Sequence, residues 1–348
     1  MPDFKANCST TAIGSFPHLK VEEACNLIFR TLPELPCWPQ LPKVSFAEEM
    51  CVQYTEGMPF FRLQPGQKRF YLETCEEGEV LEALYERYQK KDFSADSISD
   101  KFAAGLHAMR RYFPAFPHLK AVKGQIVGPV TLAGNLKDSQ GVAAFHNPTV
   151  FDAIIKHLSM KARWQIDFLS GFKAPVILFV DEPYLSCLGA AFATIEKDSV
   201  IKSLREIFDN IKDSGATPGI HCCGNTDWSM VLESGVDILS FDAFFFMDKV
   251  LGYSQDLKDF LERGGILSWG IVPTTSEALK DVTLEVLMKK MEGGIKQLSQ
   301  KGMARELVLE RSILTPSCGT GTLTIAESEK AMDLNYQLSL RLKERYGL

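Results

Sequence analysis

Two kinds of side chain in this sequence could do chemistry: an imidazole with nearby thiols, and a set of carboxylates, each placed just after a short apolar run. The first group is His221-Cys222-Cys223-Gly224. In extended backbone alternate side chains share a side, so His221 and Cys223 point together and Cys222 points away. An imidazole and a thiolate at that spacing suit a tetrahedral Zn2+. Cys318, followed by Gly319, offers a second thiolate, and Asp242 offers a carboxylate. Three protein ligands with one exchangeable position describe a catalytic zinc rather than a closed structural one. Spacing alone leaves a plainer reading open, because cysteine is among the most buried residue types and a lone histidine often belongs to a core.

The second group begins with Asp181-Glu182-Pro183, which closes the apolar run 176–180. A buried carboxylate is costly unless paired, so an acid here could hold the ammonium of an amino-acid substrate. A helix cap accounts for it equally well. Near the start, Ala12-Ile13-Gly14-Ser15-Phe16-Pro17 puts a glycine and a serine at a strand end, where backbone amides could bind a carboxylate or simply make a turn. Glu48 and Glu49 follow a weaker strand, and one of them could face the same side; an exposed helix start is the other reading. Cys8, Cys25, Cys37, Cys51, Cys75 and Cys187 show no ligand spacing and read as structural.

These residues need a scaffold that gathers strand ends. Apolar, β-branched runs at 121–128, 175–181, 218–223, 236–242, 265–272 and 312–318 read as strands, with weaker ones at 10–15 and 41–46. Helical periodicity marks 148–171, 195–214, 277–302 and 325–345. Continuous apolar strands alternating with helices imply a parallel sheet covered on both faces. Eight such units predict an α/β fold in which the whole chain, 1–348, is a single (β/α)8 TIM barrel. Ser15, Asp181, His221, Cys223, Asp242 and Cys318 then converge on the C-terminal rim, where such barrels place their active sites. The stretch 50–118 exceeds one unit and predicts an insertion after the second strand, with a hairpin near 69–74 and extra helices. A doubly wound open sheet is the alternative, but no strand–helix turn carries the G-x-G-x-x-G phosphate fingerprint.

Composition narrows the partners. With 45% hydrophobic residues, a net charge of −6 and no basic run, the chain is not expected to bind nucleic acid. No apolar stretch approaches the ~18 residues a membrane span needs, and the N-terminus lacks a signal-peptide layout. Nine cysteines without a small-domain framework fit a reducing, cytoplasmic setting.

At these motifs the sequence resembles the superfamily of cobalamin-independent methionine synthase and uroporphyrinogen decarboxylase, over about residues 10–340. The likeness covers only the synthase's catalytic C-terminal barrel. Its I-G-S-F-P stands here as Ile13 to Pro17, its D-E-P as Asp181 to Pro183, its H-x-C as His221 and Cys223, and its late C-G as Cys318 and Gly319. The resemblance implies Zn2+ held by His221, Cys223 and Cys318, with Asp242 aligned to a glutamate ligand. It also implies homocysteine held by Ile13, Gly14, Ser15, Asp181 and Glu48. There are departures. Asp242 is one methylene shorter than that glutamate, and the loop 270–275 lacks the synthase's acid histidine. The run His-Cys-Cys-Gly-Asn-Thr is closer to the H-x-C-G-N-T of methylcobalamin:coenzyme M methyltransferases. The expected activity is therefore zinc-dependent S-methyl transfer to a small thiol, with homocysteine, giving methionine, as the expected acceptor. A methyl-corrinoid, free or on a corrinoid protein partner, is expected as donor ahead of methyltetrahydrofolate. The alternatives are a metal-free decarboxylase, against which the absence of an N-terminal arginine-rich motif counts, and a non-catalytic zinc- or corrinoid-binding protein.

Overall fold

A computed structural model describes residues 4–73, 78–116, 118–188 and 195–348. Seven strands form one parallel sheet: β1 (Ser9–Thr10), β4 (Val122–Val127), β5 (Val176–Asp181), β6 (Thr217–Cys222), β7 (Ile238–Phe241), β8 (Ile266–Val272) and β9 (Ser312–Pro316). Their order is β1-β9-β8-β7-β6-β5-β4, so from β4 to β9 neighbours in the chain are neighbours in the curled sheet, and β1 pairs with the last strand. Helices return the chain between them, including Pro148–Ser170, Lys197–Asp213, Ser254–Glu262 and Leu284–Gln300, and Ile325–Tyr346 follows the last strand. The fold is thus α/β around a parallel sheet. Among the described residues no helix is long and apolar enough to cross a membrane.

Strand alternation divides the core into two. Val176, Leu178 and Val180 of β5 face the helices and join the large apolar cluster there. Ile177 and Phe179, from the other phase, pack with Ala121, Ile238, Ile266 and Ile313 in a separate cluster on the sheet's inner face. The register lays Ile238 beside Ile266, and Ile177 is paired with Thr217 on β6. Isoleucine suits this place because a β-branched side chain is stiff and packs well on a pleated surface.

The strand expected at 41–46 is not formed. Ser45 instead caps a 3-10 turn at Phe46–Glu48, its Oγ accepting from the Ala47 amide at 3.1 Å. Parallel bridging occurs a few residues earlier, at Cys37 with Lys123 and at Gln40 with Ser15. The Gln40 amide donates to the Gly14 carbonyl at 2.8 Å, and the Lys123 amide donates to the Pro36 carbonyl at 2.8 Å. Pro36, Pro39 and Pro42 have no N–H, which limits this segment to isolated bridges and moves its pairing away from the sequence expectation. The first strand is also shorter than expected at 10–15, and the helix expected over 277–302 is two, Ser276–Asp281 and Leu284–Gln300, the second capped by Thr283.

Within 50–118 lie β2 (Phe61–Gln64) and β3 (Arg69–Leu72), an antiparallel hairpin, followed by the helices Gly78–Lys90 and Ala104–Met109. Thr74, at the end of the expected hairpin, and Cys75 lie outside the described residues.

Candidate metal centre

His221 is the penultimate residue of β6, Cys223 follows that strand directly, and Cys318 lies two residues beyond β9. One ligand atom from each, an imidazole nitrogen and two sulfurs, lies within 4.8 Å of the others. Alternation does the placing: Cys222, in the opposite phase, is fully buried and its Sγ turns to the Gly224 carbonyl. Burial pushes the Cys222 thiol up to about 12, so it stays protonated. Cys223 behaves in the opposite way. The neighbouring Cys318 thiol and His221 imidazole hold it below the usual thiol range, while the same pairing and burial push Cys318 up.

The imidazole is oriented from behind. His221 Nδ1 lies 3.1 Å from Ser240 Oγ, and Nε2 is buried without a hydrogen-bond partner among the described residues. Ser240 is the register partner of His221 on β7. A proton on Nδ1 given to that hydroxyl leaves the Nε2 lone pair free for a ligand. An orphaned imidazole nitrogen beside two thiols is a donor set that fits Zn2+.

Asp242 does not join this group. It is buried just past β7, and its Oδ1 accepts from the Phe245 amide at 2.8 Å, closing the turn there. Burial raises its carboxyl to about 6, with hydrogen bonds from the Phe245 and Phe244 backbone and the proximity of His221 opposing.

The consecutive acids of the D-E-P motif go opposite ways. Glu182 accepts from the amides of Val130 and Thr131 at 2.9 and 2.8 Å and from the Thr131 hydroxyl at 2.5 Å, capping the helix Pro129–Asn135. Burial nevertheless raises it to about 7. Asp181, in the phase of Phe179, is buried on the inner face, and its Oδ1 has no partner among the described residues. Burial lifts it to about 6, with Lys123 and then His221 opposing.

Ser15 reaches the same rim from the other side. Its Oγ lies where a Cβ on Gly319 would fall, 2.0 Å away, so the loop after Cys318 packs directly on it. The Ser15 carbonyl accepts from the Thr320 amide at 2.9 Å and from its hydroxyl at 3.0 Å. Gly14 has φ +151, and a Cβ there would come within 2.6 Å of Gln40 and 2.8 Å of Gln125, so only glycine fits. The Ile13 carbonyl accepts from Lys123 Nζ at 2.7 Å. Glu48 is buried but already satisfied: its oxygens accept from the Leu41 amide at 2.8 Å and the Ala104 amide at 3.3 Å. Burial lifts it to about 7. Glu49 caps the helix Met50–Gln53, so of the two acids Glu48 is the one turned inward.

Sequence reasoning passed over Ser240 and Lys123. Both were available from period-two alternation. Ser240 lies between Ile238 and Asp242 on one strand face, and Lys123 and Gln125 interrupt an apolar strand in a single phase. Cavities of about 410 Å3 beside Arg163 and Lys202 and about 500 Å3 beside Phe245 and Lys289 lie elsewhere.

No family model matches the chain, and no curated protein matches it. Among solved structures that match is a xylose isomerase-like TIM barrel/4-hydroxyphenylpyruvate dioxygenase fusion protein, 12% identical, with a TM-score of 0.34. The match covers 67% of this chain and 41% of that one.

Proposed function

We propose that this chain is a zinc-dependent S-methyltransferase acting on a small thiol such as homocysteine, of the methionine synthase and uroporphyrinogen decarboxylase superfamily. The observation that carries the reading is the gathering of His221, Cys223 and Cys318 within 4.8 Å at two strand ends nearly 100 residues apart in sequence. In this reading the parallel sheet and the bridges through Cys37 and Gln40 are parts of one (β/α)8 barrel, the chain is a single domain with an insertion at 50–118, and the protein works in the cytoplasm.

His221, Cys223 and Cys318 would hold the metal, with Ser240 fixing the imidazole. Zn2+ bound there supplies the Lewis acidity that keeps a substrate thiol deprotonated at neutral pH, where a free alkyl thiol is mostly protonated. Everything else falls to the chain. Asp181, with one carboxylate oxygen unpartnered, holds the substrate's ammonium end, and the backbone at Ile13, Gly14 and Ser15 receives its carboxylate. Fixing both ends fixes where the sulfur sits, which is what an in-line displacement needs. Sulfur then forms a bond to the methyl carbon as the bond from carbon to the donor breaks, the electron pair leaving with the donor. A methyl-corrinoid suits as donor because its leaving group departs without a proton, and the loop 270–275 has no histidine to supply one. Glu48, held by two backbone amides, is assigned to shaping this pocket, and Asp242 to the turn beside it rather than to the metal.

The test is X-ray absorption at the zinc edge, on purified protein with and without homocysteine, alongside metal analysis. About one zinc per chain that gains a sulfur neighbour on adding homocysteine is the expected result. Zinc that ignores the thiol points to a binding protein, and purified protein without zinc points to the decarboxylase alternative.

A further inference from the structure

Lys123 is a lysine that the mechanism above does not use, and it lies in the interior rather than on the surface. It is 1% exposed, on the inner phase of β4. Its ammonium donates to the Ile13 carbonyl at 2.7 Å and to Gln125 Oε1 at 3.2 Å, and it stands 4.5 Å above the Phe179 ring. An ammonium is rarely buried without an anion near it, since its desolvation is costly. Phe179 lies two residues before Asp181 in the same strand phase, so the cation sits just below a carboxylate whose Oδ1 has no partner among the described residues. No direct ion pair links the two, which leaves Asp181 free to face upward.

The same ammonium is one of three ties on consecutive carbonyls. Ile13 is held by Lys123, Gly14 by the Gln40 amide at 2.8 Å, and Ser15 by Thr320 at 2.9 Å. Each tie comes from a different part of the chain. With its carbonyls committed, this segment can turn only its amides toward a ligand. We propose that Lys123 is a positioning residue for the amino-acid end of the substrate, holding the Ile13–Ser15 backbone in place and supplying the buried positive charge that matches Asp181. This rests on the thiol methyltransferase reading. It adds that recognition of the ammonium and carboxylate is set by a group that touches neither.

The experiment uses the zinc-loaded full chain and two probes, homocysteine and 1-propanethiol, the second having the sulfur without the charged end. Binding is measured by calorimetry for wild type, Lys123→Met and Lys123→Arg, with bound zinc counted in each. Lys123→Met should keep its zinc and its affinity for propanethiol while losing tenfold or more for homocysteine, roughly the worth of a hydrogen bond to a charged group. Equal homocysteine binding in the variant overturns the proposal, and so does an equal loss for both thiols, which would make Lys123 a structural prop. If Lys123→Met does not fold, Lys123→Arg decides by the same comparison, because it keeps the charge but cannot reproduce a single Nζ contact to Ile13. A wild-type protein that holds zinc yet binds neither thiol overturns the methyltransferase reading itself, and the inference with it. That failure is seen before any substitution is made.

Discussion

The inner face of the sheet has two ends built on opposite terms. Toward the strand starts, Ala121, Ile177, Ile238, Ile266 and Ile313 form an apolar layer in which every atom gains by leaving water. Two to four residues further along three of these strands stand Lys123, Asp181, Ser240 and Asp242, with His221 beside Asp181 on β6, all buried. Asp181 Oδ1 and His221 Nε2 have no partner among the described residues, and a buried polar atom left so costs about 1–3 kcal/mol. Stability alone would fill both ends with isoleucine. The lower end holds the fold together, and the upper end draws on that stability to keep polar groups waiting for a ligand.

The sharpest way to break this comparison is to remove a ligand from the upper end. Cys318→Ala and Cys223→Ala should each lose most of the bound metal after dialysis, whereas Cys222→Ala, in the opposite strand phase, should keep it. Metal analysis of the three variants checks it, and loss in Cys222→Ala alone would mean that the strand phase is misread. The lower end should answer with stability only. Ile266→Ala is expected to lower unfolding free energy by about 2–5 kcal/mol, as large-to-small core changes do, with metal per folded chain unchanged. Urea titration with metal analysis on the same samples separates the two effects.

Why the upper end was legible in the sequence follows from the same geometry. His221, Cys223 and Cys318 could be found because a strand end and a two-residue alternation are local signals, and a parallel sheet brings such ends together whatever their distance in sequence. The pairing at Cys37 and Gln40 was hidden because Pro36, Pro39 and Pro42 limit it to isolated bridges, where no strand pattern shows. The role of Glu48 was hidden for another reason. One of its partners is the amide of Ala104, 56 residues away, and no local pattern encodes a contact between a loop and a later helix start. Asp242 stands just past the strand end that the sequence marks, and the bond from the Phe245 amide to its Oδ1 is a matter of backbone path rather than residue type.

Glu182 sharpens the comparison at the strand end's outer side, where an acid serves the fold rather than a ligand. Burial raises its carboxyl from 4.5 to about 7. Between those values the unfolded chain has released the proton and the folded chain still holds it, so this group's contribution is full below about pH 4.5 and is lost as pH rises through 7. Other groups titrate in the same range, so the useful quantity is a difference. Glu182→Gln should be the less stable protein at pH 5, having lost an acceptor to Val130 or Thr131. Relative to wild type it should then gain up to about 3 kcal/mol by pH 8. Urea unfolding of both proteins at the two pH values tests this, and a difference that does not change with pH would show that burial does not govern this carboxyl.

The smallest effect expected is also the finest test, because it compares two residues of one strand in one phase. Ser240 supports His221 through the contact at 3.1 Å between its hydroxyl and Nδ1, and Ile238 lies directly below it in the apolar layer. Removing the hydroxyl frees the imidazole to rotate and to move its proton to Nε2, which would block that nitrogen as a ligand. Loss of such a supporting hydrogen bond typically costs about 10–100-fold in metal affinity, or roughly 1.4–2.7 kcal/mol. Ser240→Ala should show that loss with little change in unfolding of the metal-free protein, and Ser240→Thr, which keeps a hydroxyl in a strand-favouring residue, should recover most of it. Ile238→Val should do the reverse, lowering stability by about 0.5–1.5 kcal/mol while leaving metal affinity alone. Competition with a zinc chelator, run beside urea unfolding, reads both quantities. If Ser240→Ala binds zinc as tightly as wild type, then His221 is oriented by its packing and the division between the two ends lies above Ser240 rather than below it.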